Sequence, residues 1–303
     1  MSQPRITIIG AGRMGQGLGL ALKRRGYKVM LLNRSPRDVI PPLVLHQGSK
    51  AEATAEAELI LIATPDHAIT QVATELAAER AVTRDQVVLH LSGLLDRNAL
   101  QPLDQTGAAC GSFHPLQSVA EPGTAAERLK GAYAGIEGDE RALVAAERLA
   151  NTLRMVPVRI PASAKPAYHA AAAFVANYTV ALVGVAERIA RSAGVPADIA
   201  ARLYLPLLGG AVANLTTLGP AASLTGAVRR GDAQTVQAHL DALEPEDQEL
   251  YRTLGRAAVA LAREAGLGDA EVKRVDAVLA GEFLGRSAGV AATDRRPEHH
   301  SGP

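Results

Sequence analysis

Lys165, Tyr168, His169, Asn177 and Tyr178 stand out because the residues around them are mostly Ala, Val and Phe. A helix would place Lys165 and His169, four residues apart, on one face, and His169, Ala173 and Asn177 would continue that stripe. A buried polar side chain without a partner costs about 1–3 kcal/mol, so such residues serve a network or a ligand. An ammonium at Lys165 could protonate a developing alkoxide or stabilise its charge. His169 could orient or relay, and Asn177 could hydrogen-bond a carbonyl. His114, in Ser112-Phe113-His114-Pro115-Leu116, could face them from the end of a strand. The alternative is a helix-start lysine in water, with the histidines and Asn177 bonded to backbone or inside the core.

A second constellation is Gly10-Ala11-Gly12-Arg13-Met14-Gly15, which follows the apolar strand Arg5–Ile9 and opens a helix expected over 13–25. In G-x-G-x-x-G the first glycine makes a tight turn, the second lets backbone approach a pyrophosphate, and the third lets helix and strand pack closely. The helix N-terminus offers its unpaired N–H groups to the phosphates. The next strand, 28–33, ends where an NAD-selective fold places an acid that repels a 2′-phosphate. Asn33-Arg34-Ser35 stands there instead, offering an amide, a guanidinium and a hydroxyl, with Arg13 in the loop. The expected cofactor is therefore NADP(H); otherwise Arg34 and Arg37 are solvated loop charges. Thr64 and Pro65, closing the strand at 59–63, are expected to line the cofactor crevice, with Asp66 capping the helix that follows. Ser92, in His90-Leu91-Ser92-Gly93, is either close to the nicotinamide or a plain turn serine.

These residues must be held by a sheet and by helices. Apolar strands at 5–9, 28–33, 59–63 and 87–91 alternate with helical patterns, and weaker strands follow at 109–113, 133–136 and 155–160. That alternation predicts an α/β Rossmann-type doubly wound parallel sheet covered on both faces. After Pro161 the strands stop. Helices are expected over 167–193, 197–214, 232–240, 246–264 and 269–284, with Gly and Pro punctuating them, Gly209-Gly210 and Gly219-Pro220 among the breaks. The expected layout is a dinucleotide-binding domain over 1–160, an all-α domain over 161–288 for substrate and dimerisation, and a tail over 289–303. In Thr225–Asp232, Thr225 or Arg229 could hold an anion and Asp232 caps the next helix.

The 303 residues are 48% hydrophobic and 21% charged, which excludes wholesale disorder. Thirty-two basic against 31 acidic side chains give no electrostatic case for nucleic acid or an anionic membrane. The single cysteine, Cys110, forbids an internal disulfide and a Cys-based zinc site, which fits a reducing, cytoplasmic home. No metal site is expected, no apolar run is expected to reach membrane-spanning length, and a strand from Ile6 leaves no room for a signal peptide.

Taken together, Gly10–Gly15, Asn33–Ser35, Thr64–Asp66, His90–Gly93, Ser112–Val119, the Lys-x-x-Tyr-His start of Lys165–Asn177 and Thr225–Asp232 resemble bacterial NADP-binding Rossmann-like proteins with a C-terminal DUF2520 domain. The chain is similar, more remotely, to pyrroline-5-carboxylate reductase, ketopantoate reductase and 3-hydroxyacid dehydrogenases. Those relatives imply an NADPH-linked reductase of a small carboxylated ketone or imine, dimeric through its helical domain. A family-level association with pantothenate synthesis points to ketopantoate. The hydroxyacid dehydrogenases pair a lysine with an asparagine four residues on, where this chain has His169. The rival reading is a non-catalytic NADP(H) sensor or regulatory dimer, since fold does not fix function.

Overall fold

The computed structural model describes residues 5–282. The chain divides into two compact units, Met1–Thr179 and Val180–Pro303. The tail expected over 289–303 lies outside the described residues.

In the first unit the strands are β1 (Arg5–Ile9), β2 (Lys28–Leu32), β3 (Leu45–His46), β4 (Leu59–Ile62), β5 (Val87–His90), β6 (Ala109–Pro115), β7 (Tyr133–Gly138) and β8 (Val156–Arg159). They form one sheet in the order β3-β2-β1-β4-β5-β6-β7-β8. Helices α1 (Arg13–Arg24), α2 (Lys50–Thr54), α3 (Asp66–Ala78), α4 (Ala125–Leu129), α5 (Glu140–Leu153) and α6 (Lys165–Val175) follow in chain order, with a 3-10 segment at Arg97–Thr106. The chain continues through α7 (Asn177–Ser192), α8 (Ala197–Leu203), α9 (Leu205–Ser223), α10 (Gly226–Arg229), α11 (Ala233–Asp241), α12 (Pro245–Glu264) and α13 (Asp269–Ala280).

Strand alternation builds two cores. Leu59 and Leu61 join Ile6, Ile8, Leu31 and Phe113 on the face covered by α1, α4 and α5, whereas Ile60 and Ile62 join Ile69, Leu76, Leu100 and Leu103 on the other. Burial on both faces is what fully apolar strands require. Order reverses at β1 and β4, so the strand C-termini open a crevice there.

The sheet is parallel except at β6 and β7, which pair antiparallel with Ser112 opposite Glu137 and His114 opposite Gly135. The doubly wound sheet is thus parallel-dominated as expected, and its antiparallel pairing sets the site described below. The helix expected over 167–193 begins at Lys165 and breaks at Ala176, whose φ of −93° and ψ of −66° depart from ideal helix. Gly209 and Gly210 lie inside α9 rather than ending a helix, while Gly219, at φ 73°, does kink it before Pro220. Asp232 caps α11 as expected, accepting from the Thr235 N–H at 3.0 Å. The second unit has its own core of Val236, Leu240, Val259, Val272, Val275 and Val278. In the same unit the Arg188 guanidinium grips the buried Asp247 carboxylate with two bonds, at 2.8 and 2.7 Å.

One expectation about the helices is overturned. Ala162–Ser192, with mean hydropathy 1.5, and Ala197–Ser223, with 1.2, are long and apolar enough to cross a membrane by length and composition. Isolated polar residues interrupt every apolar run, yet an average across the helix passes through them. Interface helices of water-soluble proteins have the same composition, so no membrane location follows. The helix that carries Lys165 is not buried all round either, since Phe174 and Val175 are exposed.

Candidate functional site

The glycine loop is shaped by backbone, not by side chains. Gly10 has φ 113°, and a Cβ there would lie 2.6 Å from the Ala63 carbonyl oxygen. A Cβ on Gly15 would run into the Gly10 carbonyl. Gly12 differs, because its backbone is extended, with φ −73° and ψ −176°, and a Cβ would meet nothing within 4 Å. The space over Gly12, at the N-terminus of α1, is the cradle that a diphosphate needs.

The Ala11 N–H donates to Asn33 Oδ1 at 3.1 Å, and Asn33 Nδ2 donates to the Ser35 carbonyl at 2.8 Å. The Asn33 amide therefore ties the glycine loop to the end of β2, which departs from its expected role as a phosphate donor. Arg34 and Ser35 are exposed and line, with Gly10, Thr64 and Pro65, a cleft of about 750 Å³. Arg13 is exposed at the first turn of α1, whereas Met14 packs against the core. Thr64 Oγ1 is buried with no hydrogen-bond partner among the described residues. An orphan hydroxyl on the wall of this cleft, together with the open Gly12, fits a dinucleotide whose ribose and phosphates supply the missing partners.

Asp66 does not cap α3, whose N-cap is Pro65. It accepts instead from Ser92 Oγ at 2.8 Å, and Ser92 Oγ in turn accepts from the Leu94 and Leu95 N–H groups at 3.1 and 2.9 Å. The Ser92 hydroxyl thus shapes the turn after β5 and has no bond to spare for a nicotinamide. The Ser92 N–H donates to His90 Nδ1, which fixes the proton on Nε2 and lets it donate to the Asp96 carbonyl at 3.0 Å. Burial lowers the His90 pKa to about 4.

Around this turn the structure gathers residues that the sequence only suggested could meet. A Cβ on Gly93 would stand 2.6 Å from His169 Cδ2 and 2.7 Å from His114 Cε1, so both rings close directly over that glycine. The His114 and His169 rings lie 5.6 Å apart, edge to face. His114 Nδ1 is 3.0 Å from Tyr168 Oη, and burial, then His169 and Lys165, lower its pKa to about 4. His114, Tyr168, His169 and Asn177 line one pocket of about 620 Å³. Asn177 reaches it from beyond the break at Ala176, not by the continuous helical stripe that the spacing suggested.

Lys165 does not line this pocket and is only 1% exposed. Its Nζ donates to Ser112 Oγ at 2.7 Å and to the Ser92 carbonyl at 3.4 Å. Burial lowers its pKa, and Glu137, Asp96 and Asp66 oppose that shift in decreasing order. Tyr168, Ser112 and Glu137 are only faintly marked in the sequence. Ser112 and His114 are two apart in a strand and so share a face, and Glu137 is a lone carboxylate in the strand YAGIEG.

A separate cleft of about 360 Å³, lined by Ile6, Tyr27, Glu58 and Arg148 among others, lies at the opposite strand ends. Open α/β sheets do not bind their ligands there.

Comparison with known proteins extends the assignment. Residues 1–115 match a Rossmann-like domain model, and residues 132–258 match a domain of unknown function, DUF2520. Among the gathered residues, Ser92, Ser112 and His114 come from the Rossmann-like match, while Glu137, Lys165, Tyr168, His169 and Asn177 come from the DUF2520 match. Among curated proteins, no sequence matches the chain.

Three solved structures are similar over most of this chain. A Bacteroides fragilis protein described as a candidate NADP oxidoreductase is 22% identical with TM-score 0.69, covering 85% of this chain and 98% of its own. Another, from Thermotoga maritima, is 26% identical with TM-score 0.64, covering 86% and 98%. A Plasmodium falciparum pyrroline carboxylate reductase with NADP bound is 11% identical with TM-score 0.57, covering 91% and 99%. At such identities the likeness establishes the fold.

Proposed function

We propose that this chain is an NADP(H)-dependent oxidoreductase that reduces a small carboxylated ketone or imine. The observation that carries this reading is the juxtaposition of the glycine loop with a buried ammonium and two imidazoles, all at the C-terminal ends of the strands. Similar folds described as NADP oxidoreductase and as pyrroline carboxylate reductase with NADP bound support it.

A bound nicotinamide supplies a hydride. The chain must then supply a proton and hold the substrate. Lys165 has three N–H donors, of which Ser112 and Ser92 take two. The third serves the developing alkoxide or amine, as general acid or as fixed positive charge. His114, neutral at pH 7, and Tyr168 form a hydrogen-bonded pair that orients the substrate, with His169 and Asn177 on the same wall. A 2-keto acid resembling ketopantoate is the first substrate to test.

Preference for NADP(H) rests on Arg34 and Ser35, because no acid occupies the end of β2. Arg34→Ala should weaken NADPH binding by about tenfold or more while leaving NADH binding within about twofold, since one charge-assisted hydrogen bond is lost. Calorimetry with both nucleotides checks this, and equal losses for the two would remove Arg34 from phosphate recognition.

The exposed apolar side chains Phe174, Val175, Val180, Leu207 and Val212 support a homodimer formed through the helical region. Sedimentation equilibrium should give twice the chain mass, and a monomer at micromolar concentration would contradict the dimer. The fully buried Cys110 fits a reducing, cytoplasmic setting.

One observation favours a second reading. Lys165 is buried and does not line the pocket, as a structural cation in a non-catalytic NADP(H) sensor would not. Turnover separates the two readings.

A further inference from the structure

Lys165 is a lysine in a dry place. Its side chain is 1% exposed, and burial favours the neutral amine, which cannot donate the proton assigned to it above. Something must hold the charge. The register of β6 against β7 puts Glu137 directly opposite Ser112, and Lys165 Nζ lies on the same hydroxyl. The bonds run in one direction, from Lys165 Nζ to Ser112 Oγ at 2.7 Å, then from Ser112 Oγ to Glu137 Oε2 at 3.3 Å. Glu137 Oε2 also accepts from the Arg97 N–H at 2.9 Å, which fixes the carboxylate. We propose that Glu137, acting through the Ser112 hydroxyl, is the counter-ion that keeps Lys165 protonated and oriented.

The other charged groups facing Lys165 are already engaged. Asp66 accepts from the Ser92 hydroxyl, and Asp96 accepts from the Asn98 N–H and carboxamide. His90 and His114, each with a pKa near 4, bring no charge at pH 7. Glu137 faces Asp96 and Lys165, and burial raises its own pKa, as expected for a half-buried carboxylate. Glu137 is thus a positioning residue for the function proposed above and rests on that reading for its consequence, though not for its test.

The test is the ionisation of Lys165 itself. The chain has six lysines, so 13C-ε-lysine labelling gives few resonances, and Lys165→Met assigns the one that matters. Glu137→Gln keeps the size of the side chain and removes the charge. Its Lys165 midpoint should fall by about one pH unit or more, because a cation without its counter-ion loses its proton earlier as pH rises. Glu137→Asp, which keeps the charge, should stay closer to wild type, and Ser112→Ala, which breaks the link to Glu137, should also lower the midpoint and stands in if Glu137→Gln does not fold. A Lys165 midpoint that moves by less than about 0.3 unit in Glu137→Gln overturns the proposal. With any substrate that turns over, the alkaline limb of the kcat profile should move down by the same interval. No turnover on any substrate would count against the reductase and leave the nuclear magnetic resonance result standing.

Discussion

Lys165→Ala should lower turnover by about 10²–10⁴-fold, the usual contribution of a positioned proton donor, and leave the dissociation constant for NADPH unchanged. The split is the informative part. Lys165 Nζ bonds to Ser112 and Ser92 and to nothing that lines the cofactor cleft, so its loss has no route to dinucleotide affinity. A fall in kcat with constant cofactor affinity marks an interaction made in the transition state. Removing one member of a buried charged pair also destabilises, because Glu137 is left without its cation. Lys165→Met retains most of the buried stem and controls for that loss, and thermal melting of both variants measures it. Turnover unaffected in both variants would remove Lys165 from the mechanism.

The second large effect is expected at Gly12, and it separates binding from folding. Gly12 has an ordinary extended backbone and open space around its missing Cβ, so Gly12→Val should cost the fold no more than about 1 kcal/mol, chiefly from a poorer helix N-cap. The valine methyls would fill the space through which a diphosphate approaches the N–H groups of α1. NADPH binding should weaken by about 100-fold or more, the equivalent of losing two charge-assisted hydrogen bonds. Gly15→Val gives the opposite pattern, since its Cβ meets the Gly10 carbonyl and the fold itself must shift. Intact folding and wild-type NADPH affinity in Gly12→Val would mean that the dinucleotide does not lie over this loop.

The sequence was most readable where local chemistry and tertiary context agree. The Arg5–Ile9 strand, the glycine loop and α1 follow from apolar continuity, turn glycines and helical spacing, all within 20 residues. Residue type marks out Lys165, His169 and His114, and close approach to Gly93 is what brings the two rings together. Other features depend on pairings that no local pattern encodes. Ser112 meets Glu137 only because β7 runs antiparallel to β6, and strand direction is not written in either strand. Asp66 has the residue type and position of a cap, yet the Ser92 hydroxyl lies within reach and takes its carboxylate. Asn33 resembles a phosphate ligand in sequence, but its amide closes a loop across 22 residues. The break at Ala176 has no proline or glycine to announce it.

The most direct test of the whole account follows NADPH absorbance with purified protein and ketopantoate, then other branched 2-keto acids and cyclic imines, beside Lys165→Ala. The account predicts oxidation of NADPH with at least one carboxylated ketone or imine, and its loss in the variant. NADPH that binds tightly and is consumed with none of them would contradict the reductase and support a sensor.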